Sequence, residues 1–442
     1  MNKPRFVISC PFDTYSGYGA RSRDIVKAII ELDKYKVELV PQRWGETSWN
    51  FCKDHPEWEF LLNHQVTPEW QKTQPELWMQ ITIPNEFQAI GKHNIGCTAG
   101  IESTACKPEW IEGLNRMDTN WVSSKFAKTT FEQMVYDKKD QRTNQIVSQV
   151  KLVKPIEVIF EGVNLDVYKP LKFSEIKTIN FDNIKEQFCY LFVGHWMQGE
   201  FGHDRKNVGL LVKSFLETFK NKQNQPALIM KSSGGVISYM DRESLLKKIN
   251  DIKKTVKGKL PKIYVIHGDL LNEEMNELYN HPKVKCMVSL TKGEGFGRPL
   301  LEFTQTKKPI IATGWSGHID FLKPDMSVLL PGTLGDIHPS VKNDWFVEGA
   351  KWFDVDQMTL GNVLKDMHKK YKDYIHRGKQ QGNFAKENFT YDKMKEKFSK
   401  MLDENVVASP TQIPLKLPKL NKIGDNPIPS LPKLKLPKLN KV

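Results

Sequence analysis

The sequence predicts an α/β protein of two Rossmann-like domains facing a cleft, followed by an extended basic tail. Three observations predict it. Short apolar, β-branched runs alternate with stretches of helical apolar spacing, as in parallel strands joined by right-handed crossovers. At 442 residues the chain is long for one hydrophobic core, so two domains are expected. Finally, a strand, a glycine-rich turn and a helix start follow one another at 283–306, an arrangement that offers unshielded backbone N–H groups to an anion.

Hydrophobic residues at 39% and aromatics at 10% are enough for two cores. The six cysteines are scattered with no C-x-x-C pair, which excludes a zinc-ribbon or disulfide-framework reading and fits reduced thiols in a cytoplasmic compartment. No stretch approaches the roughly 18 apolar residues of a membrane span, and MNKPRFVISCPFD lacks the apolar core of a signal peptide. The net charge is +13. From Pro410 to Val442 seven lysines face one aspartate, so +6 belongs to the last 33 residues and +7 to the rest.

The elements follow in order. PRFVISC reads as the first strand, and DIVKAIIEL has helical spacing. Gly17 and Gly19 lie where the strand must turn, either facing a nucleotide or only making a tight turn. KVELVP reads as the second strand. From Gln42 to Trp78 the sequence turns irregular, and Trp44, Trp49, Trp58, Trp70 and Trp78 either line an acceptor cleft or anchor local structure. LWMQITI and NIGCTAGIES read as strands, the second ending at Glu102, which faces the cleft or sits in an exposed loop. CKPEWIEGLNRMD reads as a helix, NWVSS as a strand with Ser123 and Ser124 as N-cap candidates, KFAKTTFEQMVYD as a helix, and 138–149 as a surface loop. VKPIEVIFEGVNLDVYKP closes the first half.

The second half is more regular. FCYLFVG, ALIMKSS, KIYVIHG, KCMVSL and KPIIAT are five strand candidates, the first four followed by NVGLLVKSFLETFK, RESLLKKINDIKK, NEEMNELYN and PLLEFTQT as helices. Ligands of such sheets sit at the carboxyl ends of the strands, which selects the loops 194–206, 232–235 and 267–270 and the loop carrying Glu294 as one rim. In that last loop, GEGFGRPLLE places Glu294 before the glycine turn and Glu302 about one helical turn beyond it. Arg205 and Lys206 precede the helix after the first strand. A helix N-terminus disfavours cations by about 0.3–1 kcal/mol, so two there point to an anionic ligand such as a diphosphate. Asp354 and Asp356 form a D-x-D read as a helix N-cap rather than a cation site.

DVDQMTLGNVLKDMHKKYKDYIHRGKQQGNFAKENF and DKMKEKFSKMLDEN read as the last helices. The tail repeats LKLPKLNK at 415–422 and 434–441, and its prolines exclude a helix or central strand. An extended segment that docks on a partner surface is expected there, or else a solvated linker end.

GEGFGRPLLE, RKNVGLLVKSF after LFVGH, EGVNLDVYKP and PEWIEGLNRMDTNWVSSKF together resemble glycosyltransferase family 4 of the GT-B fold, over most of residues 1–400. SGYGARSRD, QRWG and TKGEGFGRPLLEFT are also similar to glycosyltransferases of tailed bacteriophages of marine bacteria. The resemblance implies a retaining, metal-independent transfer from a nucleotide-sugar donor, with no other cofactor. It implies that Glu294 contacts the donor sugar, Glu302 the ribose, and the amides of Phe296 to Leu301 the sugar and phosphate. Gly295, Phe296, Gly297, Arg298, Pro299 and Leu300 thereby join the donor site. Arg205 and Lys206 hold the diphosphate, Gly17 or Gly19 closes over it, and Glu102 lies near the reacting centre. The implied boundaries are an acceptor-side domain at 1–165, a donor domain at 166–388, a helix crossing back at 389–409 and a tail at 410–442. Two departures stand out: His195 where relatives have Arg, and the long loop to Lys206.

Two functions therefore compete. The favoured one is a nucleotide-sugar glycosyltransferase acting on an anionic acceptor such as modified DNA or a surface glycan, in the host cytoplasm if phage-encoded. The other is a non-catalytic GT-B protein anchored through its tail to a protein assembly or virion.

Overall fold

The computed structural model describes residues 3–140, 142–235, 237–341 and 346–405. The tail repeat and its expected extended conformation lie outside the described residues.

The amino-terminal half places six parallel strands in the order β2-β1-β3-β4-β5-β8. Its elements are β1 (Arg5–Cys10), α1 (Gly17–Glu31), β2 (Lys36–Pro41), the short α2 (Phe51–Asp54), β3 (Leu77–Ile81), β4 (His93–Thr98), α3 (Pro108–Arg116), β5 (Thr119–Val122), α4 (Lys125–Gln133), β6 (Val135–Lys139), β7 (Ile146–Lys151) and β8 (Ile156–Val158). The strands carry near-continuous apolar runs because helices cover both faces. Phe6, Ile8, Met79 and Ile95 are fully buried on one side, and Val7 and Val122 on the other.

The second half repeats the plan in the order β11-β10-β9-β12-β13-β14. It comprises β9 (Cys189–Val193), α5 (Val208–Phe219), β10 (Ala227–Lys231), α6 (Tyr239–Lys254), β11 (Ile263–Ile266), α7 (Asn272–Asn280), β12 (Val284–Ser289), α8 (Arg298–Thr304), β13 (Ile310–Thr313), β14 (Val328–Leu330), β15 (Gly332–Asp336), β16 (Lys351–Val355), α9 (Gln357–Lys369) and α10 (Tyr371–Asn388). The chain then crosses back beside its own linker, where Val163 N–H donates to Phe389 O and Tyr391 N–H to Val163 O, both at 2.9 Å. The last helix, α11 (Tyr391–Asn405), lays Met394, Phe398, Met401 and Leu402 into the amino-terminal core, with the Phe398 ring 4.8 Å from Trp121. Two doubly wound sheets facing each other make this an α/β fold of the GT-B type.

Several local expectations are corrected. Helix α1 starts at Gly17, N-capped by Ser16, so Gly17 and Gly19 lie in its first turn rather than in a preceding turn. Strand β4 stops at Thr98, leaving Glu102 in a loop. Helix α4 ends at Gln133, and the segment read as helix end plus surface loop is a hairpin, β6 on β7. Only Tyr136 and Val150 of its strand residues, paired opposite each other, pack on the core, and the rest of both strands is exposed. SVLLPG supplies a sixth strand, β14, and β15–β16 form a further antiparallel pair.

Candidate active site

The glycine loop touches the other domain. A Cβ on Gly293 would fall 1.9 Å from the Glu102 carbonyl oxygen, so only glycine allows this approach. The Ser123 hydroxyl reaches Ala99 O at 2.8 Å and Gly295 O at 3.2 Å, joining both sides of the seam. Gly297, at φ 97°, turns the chain into α8. Its carbonyl accepts the Leu300 and Leu301 amides at 3.0 and 3.3 Å, and Pro299 has no N–H. The expected row of ligand-facing amides from Phe296 to Leu301 therefore stops at Arg298, because the first helical turn takes the last two. The Phe296 and Leu300 side chains belong to the donor-domain core.

Four predicted residues converge behind this loop. Lys206 Nζ pairs with Glu294 Oε1. Arg205 Nη1 lies 3.6 Å from Glu294 and 3.5 Å from Glu102, and donates to Gly293 O at 3.0 Å. The two cations are not part of the helix start: Asp204 accepts the Val208 N–H at 3.0 Å and occupies the α5 terminus, leaving Arg205 and Lys206 against the glycine loop. Burial pushes the Glu294 carboxyl up, but Lys206 and Arg205 outweigh it and hold it at about 2. Glu294 is thus an anion at neutral pH.

Glu302 stands apart from that group. It is 7 % exposed and accepts from Arg298 Nε and from the Tyr279 hydroxyl, each at 3.1 Å. Burial raises its carboxyl to about 6, with Arg298 opposing. Arg298 Nη1 reaches Asp24 of α1 at 2.7 Å and lies 3.9 Å from Glu161, which is 3.8 Å from Arg21. The Arg298 side chain is therefore committed to an interdomain charge cluster that motif reading missed; Asp24, at the head of DIVKAIIEL, was its only signal.

A cleft of about 350 Å³ opens between the domains. His195, Asp269 and Leu270 line it from the donor side, and Tyr15, Gly17 and Phe51 from the other. The Tyr15 hydroxyl donates to Asp54 at 2.6 Å, Phe51 and His55 stack at 3.8 Å, and the Arg23 guanidinium covers Phe51 at 3.4 Å. This wall was not legible, since FCKDH carries no motif. None of the five tryptophans lines the cleft. Trp70 stacks on Trp78, and Trp44 on Tyr18. Gly17 borders the cleft, whereas Gly19 packs inside its own domain, where a Cβ would meet Thr14 O at 2.4 Å.

His195 Nδ1 lies 2.9 Å from Ser233 Oγ, and burial followed by the nearby Lys206 lowers it to about 4, so the imidazole is neutral at pH 7. In the D-x-D pair, Asp356 caps α9 by accepting the Met358 N–H, while Asp354 pairs with Lys292.

No protein-family model and no curated protein matches the chain. Solved structures do. A glycosyltransferase from Rickettsia africae is similar at 14% identity, covering 92% of this chain and 100% of that one, with a TM-score of 0.63. Sucrose-phosphate synthase from Thermosynechococcus elongatus is similar at 14% identity, 92% and 100% coverage and a TM-score of 0.60. Anabaena HepE, solved with UDP-glucose, is similar at 12% identity, 91% and 100% coverage and a TM-score of 0.55. At these identities the likeness defines the fold, and the fold is GT-B.

Proposed function

We propose that the chain is a glycosyltransferase of family 4 that moves a sugar, with retention and without a metal, from a nucleotide-sugar donor to an acceptor hydroxyl. The observation that carries this reading is the ionised Glu294, held beside Arg205 and Lys206 at the glycine loop, with Arg205 bridging it to Glu102 of the other domain. Glycosyl transfer develops positive charge at the anomeric carbon and negative charge on the departing phosphate, and these are the opposite charges needed. With the donor bound, its diphosphate takes over Arg205 and Lys206 and frees Glu294 for the sugar hydroxyls. Glu302 accepts from the ribose at the far side of the loop. The base end of the donor enters the cleft between Tyr15 and Leu270, whose volume of about 350 Å³ falls in the usual range for small ligands.

In this reading residues 1–165 hold the acceptor and 166–388 the donor, with α11 tying the second back to the first. HepE was solved with UDP-glucose, which supports a UDP-sugar as the first donor to try. Among the described residues no helix is long and apolar enough to cross a membrane. The deciding experiment is calorimetry and slow-hydrolysis assays on the full chain with UDP-, GDP- and ADP-sugars. Binding and turnover of one of them is expected; a chain that binds none and hydrolyses none is not a glycosyltransferase.

A further inference from the structure

Among the described residues the excess positive charge is concentrated away from the cleft. Segments 213–222 and 251–262 hold eight lysines against Glu217 and Asp251, a net of +6. With the tail's +6 set aside, the rest of the chain is nearly neutral at +1. The two segments form one surface. Asn221 N–H donates to Lys259 O and Lys259 N–H to Asn221 Oδ1, both at 2.8 Å, and Lys213 Nζ reaches Thr255 Oγ1 at 2.7 Å.

The acids are used up locally: Glu217 pairs with Lys213 and Lys220, and Asp251 with Lys254. Lys222, Lys253, Lys257, Lys259 and Lys262 have no ion pair among the described residues. Burial and then the neighbouring Lys262 push the Lys253 ammonium down, as expected where like charges meet without a counter-ion. Both segments precede strands β10 and β11, so the face lies at the amino ends of the donor sheet, opposite the rim of the cleft.

The apolar residues of these segments are turned inward. Phe215, Phe219, Ile252 and Val256 are buried and Leu260 packs on the core, so the face offers neither a wedge for an acyl layer nor a ring for stacking a single-stranded base. We propose that this face binds the phosphodiester backbone of double-stranded nucleic acid, without sequence preference and independently of the cleft. Phosphate neutralisation by lysines is salt-dependent and carries no base readout.

The test is fluorescence anisotropy of a short DNA duplex with the full chain, across about 50–200 mM salt. Five unpaired lysines give a slope of log K against log salt of about −4.5, and K222E/K257E/K259E removes about 2.7 of those units. A tail variant with its seven lysines changed to glutamine runs in parallel, and circular dichroism and nucleotide-sugar binding report that the triple variant is folded with its cleft unaltered. Loss of slope and at least tenfold weaker binding in the triple variant supports the proposal. Unchanged binding in that variant overturns it. So does binding abolished by the tail variant alone, or tight binding to phosphatidylserine vesicles with none to the duplex.

Discussion

Arg298 Nη1 stands 2.7 Å from Asp24 Oδ2, an ion pair that joins the first residue of α8 to α1 across the domain boundary. The same guanidinium donates from Nε to Glu302. Domain contact and the second carboxylate of the glycine loop are therefore one physical unit. Asp24→Asn leaves a largely buried guanidinium short of a counter-ion, and breaking such a pair costs about 3 kcal/mol. Urea denaturation of Asp24→Asn, Arg298→Met and the double variant reads this directly. The singles are expected to lose more together than the double does, and additivity within about 0.5 kcal/mol would show that the two do not interact.

The two carboxylates of the loop should pull stability in opposite directions with pH. Glu302, raised from 4.5 to about 6, binds its proton more tightly folded than unfolded. Its stabilisation is complete below pH 4.5 and is lost as pH rises through 6, an effect of about 2 kcal/mol. Glu294, lowered to about 2, contributes stability above 4.5 that is lost as pH falls toward 2. Denaturation midpoints between pH 4 and 7 should therefore slope downward in the native chain and less so in Glu302→Gln. An identical slope in the two proteins would exclude Glu302 as the source.

How much of this was legible follows from the kind of interaction involved. The strands and crossover helices show in the sequence because burial on both faces leaves apolar runs, and GEGFGRPLLE shows because a glycine turn between strand and helix is a local pattern. Glu102 was singled out as the end of a strand, whereas β4 ends at Thr98 and the following loop carries the acid to Arg205. The Asp24–Arg298 pair spans 274 positions, and the Tyr15–Asp54 wall depends on the loop before α1 meeting the short helix α2. Such contacts are fixed by tertiary packing, and no periodicity records them. The β6–β7 hairpin was missed for the reverse reason: all but one residue of each strand is exposed, so the segment has no apolar alternation and looks like an ordinary polar loop.

The seam at Gly293 predicts a kinetic lesion. Alanine there places a Cβ 1.9 Å from a backbone oxygen, and backbone cannot swing aside as a long side chain can. The domains must part by about 1 Å, and a misplacement of that size costs roughly 10²-fold in rate. Gly293→Ala should therefore keep its fold and its nucleotide affinity while kcat falls, measured by transfer or donor hydrolysis beside calorimetry. A full-rate variant would mean that the Gly293–Glu102 contact is absent from the reacting state.

Glu294→Gln separates the two roles of the charge cluster. The amide keeps the shape of the carboxylate but removes the anion that now occupies Lys206 and Arg205. A nucleoside diphosphate would then meet two cations with one competitor fewer, so its affinity should hold or rise by a few fold. Transfer should fall by about 10²–10³, the usual loss when a charge aimed at the developing transition state is removed. Calorimetry with the diphosphate and a turnover assay with the matching sugar nucleotide give both numbers on one preparation. Weakened diphosphate binding at an unchanged rate would reverse the assignment, making Glu294 part of the frame that holds the two cations rather than the group that faces the sugar.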